Sequence, residues 1–169
     1  MQEDKLGAQV SPSVVECFDE DCCGVLELSF LESSVAELGM VTPICVRPGE
    51  SVASAIAQLR TLKVGCVLVV EEGGKLVGIF SERDCILKVF GVISDYEKAL
   101  VGDFMTPNPV TGTPTMSMAF ALNIMSQGGF RHIPIVDERG YPQGMISVKD
   151  IVDALTAGFL KEAPMGGKH

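Results

Sequence analysis

The chain has 169 residues, of which 47% are apolar, and it carries 13 lysines and arginines against 22 aspartates and glutamates. This apolar content can build a packed core, which excludes a disordered tail, and the net charge of −9 opposes binding to nucleic-acid phosphates. The longest purely apolar stretches are only about as long as residues 67–70, whereas a membrane span needs about 20 residues. The sequence therefore excludes a membrane span.

Residues 1–34 form an N-terminal extension that precedes any recurring pattern. Within it, Leu26, Leu28 and Phe30 alternate with polar residues, which predicts a short strand or an apolar strap on the core. The first residues lack the basic and apolar regions of a secretory signal, so we expect a cytoplasmic protein whose cysteines are free thiols.

Six cysteines raise the question of a metal site, but their surroundings argue against one. Three lie in the acidic extension with no C-x-x-C spacing and no nearby histidine, and three lie in apolar runs, where a thiol behaves as a small hydrophobe. We therefore predict no metal site. The cysteines are Cys17, Cys22, Cys23, Cys45, Cys66 and Cys85.

An internal repeat organises the rest of the chain. Residues 35–90 match residues 101–156 without gaps at an offset of 66. We take the two repeats as residues 35–92 and 101–158, followed by a flexible C-terminus over 159–169. The identical pairs include Pro43/Pro109, Gly74/Gly140, Gly78/Gly144, Ser81/Ser147 and Asp84/Asp150.

Each repeat predicts the same order of elements, β-α-β-β-α. An extended segment beside proline is followed by a serine N-cap with a helix of amphipathic spacing, then by two strands joined at a glycine turn, then by a second helix. In the first repeat these elements are residues 43–46, a helix from 52, 66–70, 76–80 and 84–90. In the second repeat they are residues 109–111, a helix from 118, 133–136, 143–146 and 150–157.

One such unit is too small to cover its own apolar surface, so we expect the two repeats to pack against each other. Packing would relate them by a pseudo-twofold axis and leave clefts at the junction. Equivalent residues of both repeats would project into those clefts, which are the natural places for a ligand.

A Ser-x-x-Asp motif follows the last strand of each repeat, at residues 81–84 and 147–150. Serine at the N-cap with an acid three residues later is close to a capping box, which is a structural role. The same turn exposes helix amides that favour phosphate, and its carboxylate can accept hydrogen bonds from both hydroxyls of a ribose. Because Arg83 and Lys149 precede the aspartates, the motif is also typical of a nucleotide site.

Together these features resemble a tandem pair of cystathionine-β-synthase (CBS) domains. The resemblance covers residues 35 to about 157 and depends on the twofold Gly-h-x-Ser-x-x-Asp, on Met-Thr-Pro-Asn-Pro-Val at 105–110, and on Gly-Phe-Arg-His-Ile-Pro-Ile-Val-Asp at 129–137. It implies the α/β fold described above, assembly into a flat homodimer, and binding of AMP, ADP, ATP, S-adenosylmethionine, NAD or a cyclic dinucleotide. It also implies a regulatory rather than a catalytic role.

The resemblance further implies two ligand sites. In each, the aspartate would hold the ribose and the serine would lie near ribose or phosphate, and Arg131 and His132 would reach phosphates. We expect tighter binding at the Asp150 site, for which Arg131, His132 and Lys149 are available. The residues of that site are Ser147, Lys149 and Asp150, with walls from Ile44, Val64 and Cys66. Those of the other site are Ser81, Arg83 and Asp84, with walls from Val110, Phe130 and His132.

The expected function is therefore an adenine-nucleotide sensor of the AMP, ADP and ATP class with no obligatory cofactor, acting in trans on a protein target. We expect no enzyme, because the chain lacks Gly-x-Ser-x-Gly, His-Glu-x-x-His and Walker motifs. Two alternatives stay open: a ligand-free scaffold for dimerisation or interaction, and a module for S-adenosylmethionine or NAD.

Overall fold

The computed structural model describes residues 28–162, which form two α/β units with the predicted pseudo-symmetry. The strands are β1 (Cys45–Val46), β2 (Cys66–Val70), β3 (Leu76–Ser81), β4 (Thr106–Pro107), β5 (His132–Val136) and β6 (Pro142–Ser147). The helices are α1 (Leu28–Glu32), α2 (Val52–Leu62), α3 (Glu82–Asp84), α4 (Val101–Phe104), α5 (Met118–Gly128) and α6 (Val148–Glu162). A 3-10 turn spans Val35–Leu38, and α3 continues as a π-helical turn, Cys85–Val89.

Within residues 28–162 the strands form two sheets, one for each repeat. The first has the order β1-β2-β3-β4, with β1 parallel to β2 and the other pairs antiparallel. The second contains the antiparallel pair β5-β6, and Gly112 adds a parallel bridge to Ile135. The edge strand β4 comes from the start of the second repeat, yet it pairs with β3 in the sheet of the first repeat.

The predicted β-α-β-β-α order is confirmed, with local differences in the bounds of the elements. Residues 109–111 form no strand, and the bridge at Gly112 takes the place of one. The N-terminal alternation ends in the helix α1 and not in a strand, while Phe30 packs against the second core and α1 contacts α5, as an apolar strap on the core would. Leu26 lies outside the described residues. The last helix continues to Glu162, past its predicted end at residue 157.

Serine caps begin α2 and α5, the first long helix of each repeat, as the sequence predicts. The Ser51 hydroxyl accepts a hydrogen bond from the Ser54 amide at 3.1 Å, and the Ser117 hydroxyl accepts one from the Phe120 amide at 3.3 Å. These bonds satisfy amides that have no partner within the helix. They fix where α2 and α5 start, and therefore which faces of the helices reach the sheets.

The two repeats exchange their first helical turns. Val35, from the first repeat, is fully buried in the second core, and its amide donates to the Met116 carbonyl at 2.8 Å. Val101, from the second repeat, is fully buried in the first core, and its amide donates to the Glu50 carbonyl at 2.9 Å. Each core is thus completed by a segment of the other repeat.

Two hydrophobic cores follow from this arrangement, one beneath each sheet. The first is built around Phe80, Val67 and Val69 on β2 and β3, and the second around Ile133 and Ile135 on β5. Within residues 28–162, no helix combines the length and the apolar character that crossing a membrane requires.

Candidate functional site

A cavity of about 470 Å³ opens where β3 ends and α3 begins, between the two repeats. Backbone and side chains of both repeats line it, as the pseudo-symmetry predicts for a ligand cleft. The lining residues are Gly65, Ile79, Ser81, Glu82, Arg83, Asp84, Leu87, Lys88, Thr106, Asn108, Pro109, Val110, Gly128, Gly129, Phe130, Arg131 and His132.

Asp84 is the buried acid of this cavity, with 6% of its surface exposed. Its Oδ2 accepts hydrogen bonds from the Ser81 amide at 2.9 Å and from the Ser81 hydroxyl at 2.6 Å. Its Oδ1 accepts a hydrogen bond from the Thr106 hydroxyl at 2.9 Å and forms a 2.6 Å salt bridge with Lys88 Nζ. The predicted capping box is therefore present, and it occupies only one of the two oxygens.

Lys88 extends this network to the second repeat. Besides pairing with Asp84, its Nζ donates to the carbonyls of Phe104 at 3.1 Å and Met105 at 3.2 Å, and to the Thr106 hydroxyl at 3.1 Å. The carbonyls lie at the end of α4, where a cation is favourable because helix dipoles leave negative charge there. One lysine thus joins the Asp84 turn to the exchanged helix.

The ionisation of Asp84 reflects the same contacts. Burial raises its pKa, but the hydrogen bonds from Lys88, Ser81 and Thr106 outweigh burial and hold the pKa below its ordinary value of 3.8. Asp84 is therefore a carboxylate at neutral pH.

The rest of the cavity combines apolar walls with an excess of positive charge. Arg83, Lys88 and Arg131 supply three cations against two carboxylates, those of Glu82 and Asp84. The Arg83 guanidinium is held in place by a 2.6 Å hydrogen bond to the Gly129 carbonyl. The apolar wall residues are Ile79, Leu87, Pro109, Val110 and Phe130. Such a lining suits a ligand with a flat apolar part and an anionic part.

His132 lies so close to Gly65 that any side chain at position 65 would displace the imidazole from its present place. A Cβ atom at position 65 would come within 2.9 Å of the imidazole Cε1 and Nε2 atoms. Burial lowers the pKa of His132, as does the nearby charge of Arg131, while Asp150 and Glu82 raise it; the net effect lies below the ordinary value of 6.5. The imidazole is therefore neutral at pH 7.

The Asp150 turn has the same cap on Oδ2, but its Oδ1 differs from that of Asp84 in its hydrogen-bond partners. Oδ2 of Asp150 accepts hydrogen bonds from the Ser147 amide at 2.8 Å and the Ser147 hydroxyl at 2.7 Å. No described residue donates a hydrogen bond to Oδ1. At the offset of 66, the counterpart of Lys88 is Ala154 and that of Thr106 is Met40, so neither donor of the Asp84 network recurs.

The structure brings together seven of the residues predicted for the two sites. The seven that line the Asp84 cavity are Ser81, Arg83, Asp84, Val110, Phe130, Arg131 and His132. The other six lie elsewhere: Ser147 and Asp150 in their own turn, Lys149 paired with Asp153, Ile44 and Val64 against the first core, and Cys66 buried with its sulfur 3.1 Å from that of Met145.

Arg131 and His132 thus line a different cleft from the one to which the expected affinity order assigned them. Arg131 lies between Gly129 and β5, His132 is the first residue of β5, and this end of the strand faces the Asp84 cavity. Lys149 is also engaged, in an exposed ion pair with Asp153. The cations expected to favour the Asp150 site are therefore beside Asp84 or held in a surface pair.

Sequence reasoning missed Lys88 and Thr106, which hold Asp84. A signal for Lys88 exists, because a lysine four residues after an acid in a helix faces that acid. Thr106 belongs to the motif at residues 105–110, but nothing in the local sequence indicates that β4 pairs with β3 of the other repeat. Only that pairing brings its hydroxyl to Asp84.

The described cysteines are free thiols: Cys45 is exposed, and Cys66 and Cys85 are buried. Burial raises the pKa of Cys66 to about 12 and that of Cys85 to about 11, so both stay protonated at neutral pH. Among residues 28–162, no three histidine, cysteine or acidic side chains converge as metal ligands. The other three cysteines, at positions 17, 22 and 23, lie outside the described residues.

Comparison with known families agrees with this fold. The family model of the CBS domain matches residues 35–91 and again residues 101–157. The chain belongs to the CBS domain family. The two matches make it a tandem CBS pair, and its helices and sheets are those of such a pair.

Three known proteins place this CBS pair among its relatives. It is 28% identical over 127 residues to an uncharacterized 17.7 kDa protein of Acidianus ambivalens, covering 74% of each chain. It is 34% identical over 119 residues to the inosine-5'-monophosphate dehydrogenase of Mycobacterium bovis, covering 69% of this chain but 21% of the dehydrogenase. The crystal structure of CBSX2 in complex with AMP aligns with a TM-score of 0.65 and 27% identity, over 77% of this chain and 99% of that one.

Proposed function

We propose that this CBS pair is a regulatory module that binds an adenine nucleotide of the AMP, ADP and ATP class in the Asp84 cavity and signals to a protein target in trans. The observation that carries the proposal is the cavity itself, in which Asp84, the Ser81 hydroxyl, apolar walls and three cations meet in about 470 Å³. The AMP complex of CBSX2, a related pair, supports the ligand class.

The lining can serve each part of such a ligand. Val110 and Phe130 offer apolar surface to the base, and Arg83 and Arg131 offer charge-assisted hydrogen bonds to a phosphate. Asp84 offers a carboxylate to the ribose hydroxyls. We propose tighter binding here than at Asp150, which reverses the order expected from the sequence, because Arg131 and His132 line this cavity.

The proposed role is non-catalytic. Among the described residues, His132 is the only histidine that lines the cavity, and it is neutral and packed against Gly65; no described cysteine lines the cavity. The dehydrogenase relative matches this chain over about a fifth of its own length, so its reaction is not carried over.

A cytoplasmic homodimer completes the proposal. Ile86 and Phe90 of the first repeat and Val152 of the second are 65%, 54% and 46% exposed, and Ile86 and Val152 are equivalent in the two repeats. Apolar side chains in such paired positions support assembly through a twofold face.

A ligand-free scaffold is the second candidate function. The specific observation in its favour is that the capping boxes at Asp84 and Asp150 are both complete without a ligand. Under this alternative, the duplicated motif serves only to start α3 and α6.

Isothermal titration with AMP separates the two functions. Val110→Trp should fill the cavity from a half-exposed position and weaken AMP binding at least about tenfold, since it occludes the apolar wall. Val92→Trp is the matched control, because Val92 is 66% exposed and is not part of the cavity lining. It should leave the affinity within about twofold.

A second variant tests the phosphate contact. Arg131→Gln should weaken AMP about ten- to a hundredfold, the effect of one charge-assisted hydrogen bond, and should leave adenosine binding unchanged. If the wild-type protein binds neither AMP, ADP nor ATP, the scaffold replaces the sensor. Equal losses in Val110→Trp and Val92→Trp would place the ligand outside this cavity.

A further inference from the structure

The Asp84 carboxylate has all of its acceptor positions filled by the protein itself. A carboxylate offers about four lone-pair positions. Ser81 fills two on Oδ2, with its amide and its hydroxyl, while Thr106 and Lys88 fill two on Oδ1. A ribose diol can only donate to this carboxylate if one of these donors leaves.

The donors on Oδ1 are the ones that can be replaced. The Ser81 bonds belong to the capping box, whose loss would expose the first turn of α3. Lys88 is different, because its ammonium has three protons and four oxygen atoms within reach. It can give up Asp84 and keep the Phe104 and Met105 carbonyls, and Thr106, an exposed residue, can rotate its hydroxyl towards water.

We propose that Lys88 and Thr106 compete with the ligand for Oδ1 of Asp84 and thereby set the affinity of this site for a ribose. The inference rests on the proposed function, since it concerns the sugar of the same ligand. Lys88 and Thr106 are then affinity-determining residues, because their own hydrogen bonds to Asp84 compete with those of the ribose.

The competition also connects the ligand to the exchanged helix. Lys88 joins Asp84 to the last carbonyls of α4, and Thr106 joins it to the edge strand β4. A ribose that replaces them on Asp84 therefore breaks the side-chain link between the cavity and the segment that the second repeat lends to the first. Lys88 and Thr106 therefore have two arrangements, one bound to Asp84 and one released from it. A ligand that binds only the released arrangement shifts the population of molecules towards it.

Adenosine and 2',3'-dideoxyadenosine are the probes for this competition, because neither carries a phosphate and only adenosine carries the diol. Thr106→Val removes one donor without changing charge or size, and Lys88→Met removes the other. Both variants should bind adenosine about three- to tenfold more tightly than the wild type, and the gain should vanish with dideoxyadenosine. Lys98→Met, which removes the exposed pair with Asp95, is the matched control and should leave the affinity unchanged.

The possible outcomes separate the inference from the proposed function. Unchanged or weaker adenosine binding in Thr106→Val, with AMP still bound by the wild type, overturns the competition and leaves the sensor standing. If Lys88→Met does not fold, Thr106→Val decides alone. If neither adenosine nor AMP binds to the wild type or to any variant, the proposed function fails and the inference fails with it.

Discussion

The Asp84 turn and the Asp150 turn carry the same motif and the same cap, yet they present different chemistry. In both, a serine amide and hydroxyl bind one carboxylate oxygen. In the first turn the other oxygen is held by Lys88 and Thr106, and in the second no described residue donates a hydrogen bond to it. The duplicated motif thus determines the cap, while residues outside the motif determine what the acid can still bind.

The largest expected effect comes from replacing each of the two aspartates with alanine. Asp84→Ala should reduce the free energy of unfolding by about 2 to 4 kcal/mol, because it breaks four contacts of a buried carboxylate and leaves Lys88 without its anion. Asp150→Ala should cost about 1 kcal/mol, since only the cap is lost. Urea unfolding at neutral pH measures both, with the exposed Asp153→Ala as the control. Equal losses for the two acids would contradict the comparison.

A second test uses pH, because the residues that pair with the serines of the two turns also differ. Cys66 pairs with Ser81, and His132 pairs with Ser147. His132 is equivalent to Cys66 at the offset of 66, and its pKa is lowered, mainly by burial. As the pH falls below 6.5, the unfolded chain binds a proton before the folded chain does, so stability should fall. Cys66, with its pKa near 12, contributes nothing in that range.

Urea unfolding from about pH 7.5 to pH 5.5 measures this slope in the wild type and in His132→Gln. The variant should show a smaller slope. His169, the other histidine, is present in both proteins and so cancels. A slope that is the same in the two proteins would mean that His132 titrates as it does in the unfolded chain.

The smallest expected effect comes from making the second turn resemble the first. Ala154→Lys places a lysine four residues after Asp150, as Lys88 follows Asp84, and should raise the free energy of unfolding by about 0.3 to 0.5 kcal/mol. Ala154→Met adds a side chain of similar length without the charge. If the methionine variant gains as much as the lysine variant, packing rather than the ion pair explains the change.

Much of the fold could be predicted from local signals. The strand at residues 66–70 has the predicted bounds because it is a short apolar run closed by a glycine turn, and Ser51 and Ser117 cap their helices because serine satisfies free helix amides. The exchange of Val35 and Val101 could not be predicted in this way. Both residues have the local signature of their own repeat, and only the packing of the two cores assigns each to the other.

The site was predicted in its parts more than in its arrangement. The Ser-x-x-Asp turn and the walls Val110 and Phe130 follow from the repeat and from the CBS resemblance, and the structure places them in one cavity. The side on which Arg131 lies depends on how β5 enters its sheet, and successive side chains of a strand point to opposite faces. Local sequence does not contain that information, and neither does it contain the reach of Lys88 across to α4.

The reciprocal exchange of Val35 and Val101 has a consequence for how this chain can be divided. A fragment limited to the first repeat would leave Val35 exposed, because Val35 packs in the second core. The core of that fragment would also lack Val101, which the second repeat supplies. The unit that recurs in the sequence and the unit that packs around one core are therefore not the same. Each half takes part of its core from the other, so a substitution that loosens one half should also weaken the packing of the second.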